Sequence, residues 1–121
     1  MGCNMSFESH TILEHTNLAE IIKIKESKVY DEIMVNIVSD EINQALDSND
    51  KKFIILDFSK VKYLSSSFLG KIISINKKVK AKEGKLFLTG LNADIMEVFQ
   101  ITKLEKFFNF QSSVESALDS I

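Results

Sequence analysis

Arginine, tryptophan and proline are absent from the 121 residues, cysteine occurs once, and glycine occurs four times. All 15 cationic side chains are lysine, so no side chain offers the planar fork that grips a phosphate or carboxylate. A dedicated phosphate-recognition pocket is therefore not expected. The single cysteine, Cys3, excludes an internal disulfide and a cysteine-built zinc site, and such scarcity fits a reducing compartment. The glycines stand apart at positions 2, 70, 84 and 90, which leaves no glycine-rich loop to cradle a nucleotide. The two histidines, His10 and His15, are spaced so that one helix face cannot present both, and no metal site is expected. No apolar run approaches the ~20 residues of a membrane span and no signal-peptide core is present, so a cytoplasmic protein is expected, without a membrane partner. The formal net charge of -2 gives no overall basic field, so direct nucleic-acid binding is not expected either.

What remains is the composition of an ordinary globular domain. With 45% hydrophobic and 26% charged residues, a chain of this length closes one core and not two, and residues 1–121 are read as one domain. The opening MGCNMS matches an N-myristoylation pattern with a neighbouring cysteine; the competing reading is an unstructured start, and residues 1–8 are taken as a flexible N-terminal segment.

Residues 9–15 and 20–25 read as two short strands about a turn at Thr16, Asn17 and Leu18, the second alternating Ile22 and Ile24 with lysines as a half-exposed hairpin strand would. From Asp31 to Asp47, Ile33, Met34, Ile37, Val38, Ile42, Ala45 and Leu46 keep the three-four spacing of an amphipathic helix, ended by Asp47, Ser48, Asn49 and Asp50. The run Phe53, Ile54, Ile55, Leu56 is continuously apolar, which predicts a central strand over 53–58 with helices on both faces. A second helix, about Ser66 to Lys82, turns Leu69, Ile72, Ile73, Asn76 and Val79 inward and Ser67, Lys71, Ser74 and Lys78 outward. Glu83 and Gly84 stop it, and Lys85 to Thr89 forms a strand parallel to 53–58 by right-handed crossover. Asn92 caps a helix over 93–102 with Ile95, Val98 and Phe99 inside. Phe107, Phe108 and Phe110 mark a last short strand, and Ser112 with Glu115 makes a capping box for a final helix carrying Val114, Ala117, Leu118 and Ile121. The predicted order is β-β-α-β-α-β-α-β-α: an α/β fold with a mixed sheet of about five strands and four helices.

The stretch of most chemical interest is Ser65, Ser66 and Ser67 at the start of the second helix. Unpaired N–H groups and the positive end of the helix dipole meet there, so a serine hydroxyl either caps the helix or carries a phosphoryl group whose charge is tolerated. Asp57, at a strand end, reads as a turn carboxylate; the alternative, a phospho-accepting aspartate of a response-regulator receiver, lacks the paired acids that hold magnesium, since Glu8 and Glu14 are isolated. No nucleophile, base or cofactor cradle is assembled in the sequence, and no enzyme is expected.

The string DFSKVKYLSSSFLGKI resembles the signature of the STAS domain, the family of bacterial anti-sigma factor antagonists. In that signature a strand ending in Asp-Phe/Leu-Ser leads through Val-x-Phe/Tyr-Leu/Met to Asp-Ser-Ser/Thr-Gly-Leu-Gly. GKLFLTGLNADIMEVFQITKLEKFF resembles the family's later strand and helix, so the likeness covers nearly the whole chain. By position, the family's phosphorylated serine falls on Ser66, with Ser65 and Ser67 as the alternatives, and Leu69 and Gly70 match its Leu-Gly. Ser65 stands where the family has aspartate and Phe68 where it has glycine. The resemblance implies a STAS-like fold and a regulatory binding module. Its partner would be a serine kinase of the GHKL type that doubles as an anti-sigma factor, with a phosphatase of the PP2C type to reverse the modification. The implied contact surface is Ser65, Ser67, Phe68, Lys71, Ser74 and Lys78, with Phe68 either an interface anchor or core filler. A second function class is a STAS-like subunit of a larger assembly, such as a lipid-transport or stress-signalling complex, in which the serines are never modified.

Overall fold

The computed structural model describes residues 10–48 and 50–121. The readings made for MGCNMS, for residues 1–8 with Cys3 and Glu8, for Ser9 and for Asn49 lie outside these. In chain order the elements are β1 (Thr11–His15), β2 (Ala19–Ile24), β3 (Lys28–Val29), α1 (Glu32–Asp47), β4 (Phe53–Asp57), β5 (Tyr63–Leu64), α2 (Ser66–Ala81), β6 (Lys85–Thr89), α3 (Ala93–Ile101), a 3-10 turn (Glu105–Phe107), β7 (Asn109–Gln111) and α4 (Val114–Asp119). Five strands form a mixed sheet in the order β1-β2-β4-β6-β7, in which only the β1–β2 pair is antiparallel. β4 is the middle strand, as its unbroken apolar run demands. Ile54 and Leu56 enter the large core under α1, α2 and α3, while Ile55 joins Ala19, Ile21, Phe87 and Ala117 in a smaller core beneath α4. β3 and β5 form a separate two-stranded parallel ribbon that the sequence pattern did not reveal.

Several expectations need correction. β2 is not half-exposed: it lies between β1 and β4, with Ile22 and Ile24 in the large core and Ile21 in the small one, and the exposed strand is β1. On α1, Val38, Ile42, Ala45 and Leu46 are buried as expected, but Ile33 is 74% and Ile37 36% exposed, because the buried stripe runs through Val35 and Ser39 instead. On α2, Phe68 and Ile75 are buried while Ile73 is only half-buried. β7 begins at Asn109, so Phe107 and Phe108 precede it. Phe108 is nevertheless core, packed edge-on against Phe99 at 5.3 Å. The cap of α4 is Ser113, whose Oγ accepts from Ser116 N–H, and not Ser112; of the predicted stripe only Ala117 is fully buried. After α2, Glu83 takes the left-handed conformation (φ 62°), and Gly84 passes so near Lys52 that a Cβ would stand 2.4 Å from its carbonyl oxygen.

α1 and α2 are joined at the surface by Lys78, whose Nζ lies 2.6 Å from Asp47 Oδ1 and 3.3 Å from Asn43 Oδ1. The hydrogen bond from Lys78, helped by the charges of Lys78 and Lys82 and opposed by slight desolvation, holds the exposed Asp47 carboxyl below its ordinary range. The small stabilisation this brings is present above the ordinary carboxylate range and is lost as pH falls through the lowered one.

Candidate functional site

The loop from β4 to α2 is fixed at both ends and along its length. At its start Asp57 is 8% exposed and both its oxygens accept: Oδ2 from the Ser59 hydroxyl at 2.8 Å, Oδ1 from the Thr89 hydroxyl at 2.9 Å. β6 leaves the sheet alongside through Gly90 (φ +71°), where a Cβ would stand 2.9 Å from Asp57 Oδ1, so glycine is required both for backbone and for space. Phe58 is fully buried and its N–H donates to the Thr89 carbonyl. Farther on, the N–H groups of Lys62 and Tyr63 both donate to the Ser27 carbonyl, and the Ser65 N–H donates to that of Val29. This is the β3–β5 ribbon, and its physical role is to hold the serine run against the start of α1. Asn92 approaches from the other side: its Oδ1 caps α3 while its Nδ2 lies 3.4 Å from the carbonyls of Val61 and Lys62.

The loop delivers three serines into three different situations. Ser65 is extended (φ -97°, ψ 165°) and half-buried, and its Oγ accepts from Phe68 N–H at 3.1 Å, so it is the N-cap of α2. Ser66 and Ser67 occupy the first helical positions with exposed side chains. Ser65→Ala is expected to lower stability by about 0.5–2 kcal/mol in a urea melt, the usual loss for a cap hydroxyl, whereas Ser66→Ala should change it by less than about 0.5 kcal/mol. Equal effects would place the cap elsewhere.

Of the other predicted contact residues, Lys71 and Ser74 are exposed on the same helix as Ser67. Two are not available. Phe68 is fully buried, with its ring 6.4 Å from that of Phe58, so it fills the core and is not an interface anchor. Lys78 is half-buried and engaged with Asp47, which removes it from the free polar stripe. Gly70, one turn beyond Ser66, is exposed, and a Cβ there would meet nothing within 4 Å. Packing therefore does not require this glycine, although glycine inside a helix costs about 0.5–1 kcal/mol relative to alanine.

The sequence reading missed what lies beside the serines. Lys28, Tyr30, Tyr63, Leu64 and Ser65 line an open groove, with Tyr30 and Tyr63 more than half exposed. Large aromatic side chains left in water next to a polar helix start are a feature of contact surfaces, and the short ribbon that presents them has no periodicity long enough to detect. The histidines are elsewhere: His10 pairs with Glu26 and His15 with Glu20. Among the described residues no group of three or more His, Cys, Asp or Glu side chains is placed to hold a metal ion, and no helix is long and apolar enough to cross a membrane.

The family model for the STAS domain matches residues 29–117. Solved structures share the fold over nearly their whole length. An anti-sigma-factor antagonist (STAS) domain protein from Planctomyces limnophilus superposes with a TM-score of 0.82 at 18% identity, covering 94% of this chain and 98% of its own. The anti-sigma factor antagonist SpoIIAA in its unphosphorylated form gives 0.74 at 22% identity, covering 91% and 94%. The Bacillus cell fate determinant SpoIIAA in the phosphorylated form gives 0.68 at 22% identity, covering 91% and 97%.

Proposed function

The chain belongs to the STAS family, and from that premise we propose that it is an anti-sigma factor antagonist: a cytoplasmic binding module, one STAS unit over residues 1–121, switched by phosphorylation of Ser66. The observation that carries this reading is the division of labour among the serines. Ser65 caps α2 through Phe68 N–H, so the Ser66 hydroxyl stays exposed and the helix does not depend on it. Each departure from the family signature has a benign account. Serine in place of aspartate still caps, and phenylalanine in place of glycine goes into the core and leaves the outer face clear. SpoIIAA, with the same fold, exists in phosphorylated and unphosphorylated forms, which supports a switch built on this scaffold.

Physically the switch works by asymmetry. A phosphoserine adds about -1.5 to -2 charges, which the helix N-terminus tolerates in water and exposed Lys62 and Lys71 help to offset. The same charge is costly once a partner covers it and strips its water. The partner surface comprises Ser66, Ser67, the bare helix face at Gly70, Lys71 and Ser74, flanked by Tyr30 and Tyr63. The partner is a GHKL-type serine kinase that is also an anti-sigma factor, and a PP2C-type phosphatase restores the binding form.

Incubation with the cognate kinase and ATP, followed by mass spectrometry, should place one phosphate on Ser66. Ser66→Ala should abolish it and Ser67→Ala should not, and Ser66→Asp should weaken kinase binding by about tenfold or more in calorimetry. A kinase that binds the wild type and Ser66→Asp equally, and leaves all three serines unmodified, would overturn the switch and favour a static subunit of a larger assembly.

A further inference from the structure

The two long helices are opposite in charge. α1 carries Glu32, Asp40, Glu41 and Asp47 and no lysine, whereas α2 carries Lys71, Lys77, Lys78 and Lys80 and no acid. Where the helices lie side by side the difference is used, for Lys78 reaches across to Asp47. Each helix also has an outer flank. That of α1 looks toward the β1 edge of the sheet, where Glu41 accepts from the His10 N–H and the Thr11 hydroxyl. That of α2 looks toward the β7 edge, where Asn76 donates to the Phe107 carbonyl.

These opposed flanks carry matching surfaces. On α1, Ile33, Ile37 and Asp40 are spaced by four and three residues and so share one stripe, and all three are exposed. They make an apolar ridge with an acidic end. Asp40 has no ion pair or hydrogen bond among the described residues. On α2, Ile73, Lys77 and Lys80 repeat the same spacing; Leu104 and Phe107 stand opposite, Phe107 being 59% exposed, and the cleft between has a volume of about 290 Å³. This is an apolar groove with a basic rim. The ridge lacks a groove and cations, the groove lacks a ridge and an anion, and the fold holds the two at opposite edges, where they cannot meet within one chain.

We propose that a second copy of this chain completes both: the α1 ridge of one copy seats in the α2 groove of the next. Ile33 and Ile37 cover Phe107 and Leu104, and Asp40 meets Lys77 and Lys80. The occupant is this chain because each flank has the shape and the charge that the other lacks, and because Asp47 and Lys78 already join α1 to α2 by the same pairing. The contact is heterologous: a pair formed through it leaves one ridge and one groove free, so association continues head to tail instead of stopping at two. So small a contact belongs to the transient class. It includes none of the three serines and does not rest on the phosphorylation of Ser66.

The test is sedimentation of the full chain from about 10 µM to about 1 mM, the range in which transient contacts are populated. The weight-average mass should rise with concentration without levelling at two chains, and rise less at high salt, which screens the Asp40 pairing. Ile33→Ser with Ile37→Ser removes the ridge, and Lys77→Glu with Lys80→Glu reverses the rim; each double variant alone should be monomeric. Mixed in equal amounts they should form a complex of two chains and no larger, because the first keeps the groove and the second keeps the ridge. All four side chains are exposed, so the urea midpoints should match that of the wild type. Asp40→Lys, which leaves the apolar ridge intact, should also abolish association, and combining it with Lys77→Glu and Lys80→Glu in one chain should restore it. A wild type that stays monomeric at the highest concentration, double variants that associate as the wild type does, or a mixture that stays monomeric would overturn the proposal. Ser66→Asp should associate like the wild type, so the failure of either reading leaves the other standing.

Discussion

Phe68→Ala is expected to lower stability by about 3–5 kcal/mol, the range for removing a fully buried phenylalanine ring. The side chain lies in the core against Phe58 and emerges from the first turn of α2, where the backbone is held by the Ser65 cap and the β3–β5 ribbon. With the backbone so fixed, the cavity cannot collapse and the loss should be near the upper end. A urea melt reads it directly: at ~1–3 kcal/mol per molar of urea for the slope, the midpoint should fall by on the order of 2 M with the slope unchanged. The same measurement separates two roles for an aromatic beside the serine run. An interface anchor would leave the midpoint in place and lose partner binding instead.

Asp57→Ala should cost about 2–4 kcal/mol, a large effect for a residue that is polar and sits at a strand end. Two hydroxyl donors lose their acceptor at once. Thr89 is fully buried, so its hydroxyl has no water to turn to, and a hydrogen bond to an ionised carboxylate is worth about twice a neutral one. Asp57→Asn, which keeps the shape and one acceptor oxygen, should recover part of the loss. A change below about 0.5 kcal/mol in thermal or urea melts would mean that the carboxylate does not hold the exits of β4 and β6 together. Its burial also bears on chemistry: a phospho-accepting aspartate needs an oxygen open to the incoming group, and beryllofluoride with magnesium should leave the protein's spectrum unchanged.

The sequence carried the main sheet and the helix starts well, for identifiable reasons. Phe53 to Leu56 read as a strand buried on two faces, and Ser65 and Asn92 are caps whose chemistry is local. What was not legible depended on neighbours. Ile33 and Ile37 fit an inward helical stripe, and only the position of the sheet shows that Val35 faces it instead. Ser112 and Ser113 are equal as caps until the end of β7 decides between them. β3 and β5 have two residues each, too few for any period, yet they position Ser65 and expose Tyr30 and Tyr63. Lys78 looked like part of an exposed basic stripe because its partner, Asp47, comes from another helix.

The parallel pairing of β4 with β2 and β6 also governs how the chain reaches this fold. Ile21 meets Ile55, and Ile55 meets Phe87, only after a whole helical crossover has closed each time. Only the β1–β2 hairpin closes over a short distance. Loop closure is therefore the slow part of folding, and the central strand cannot be secured on either side until one crossover helix has packed. With no proline anywhere in the chain, prolyl isomerisation adds no phase on the scale of tens of seconds, and the rate of assembly reports the topology of the sheet alone.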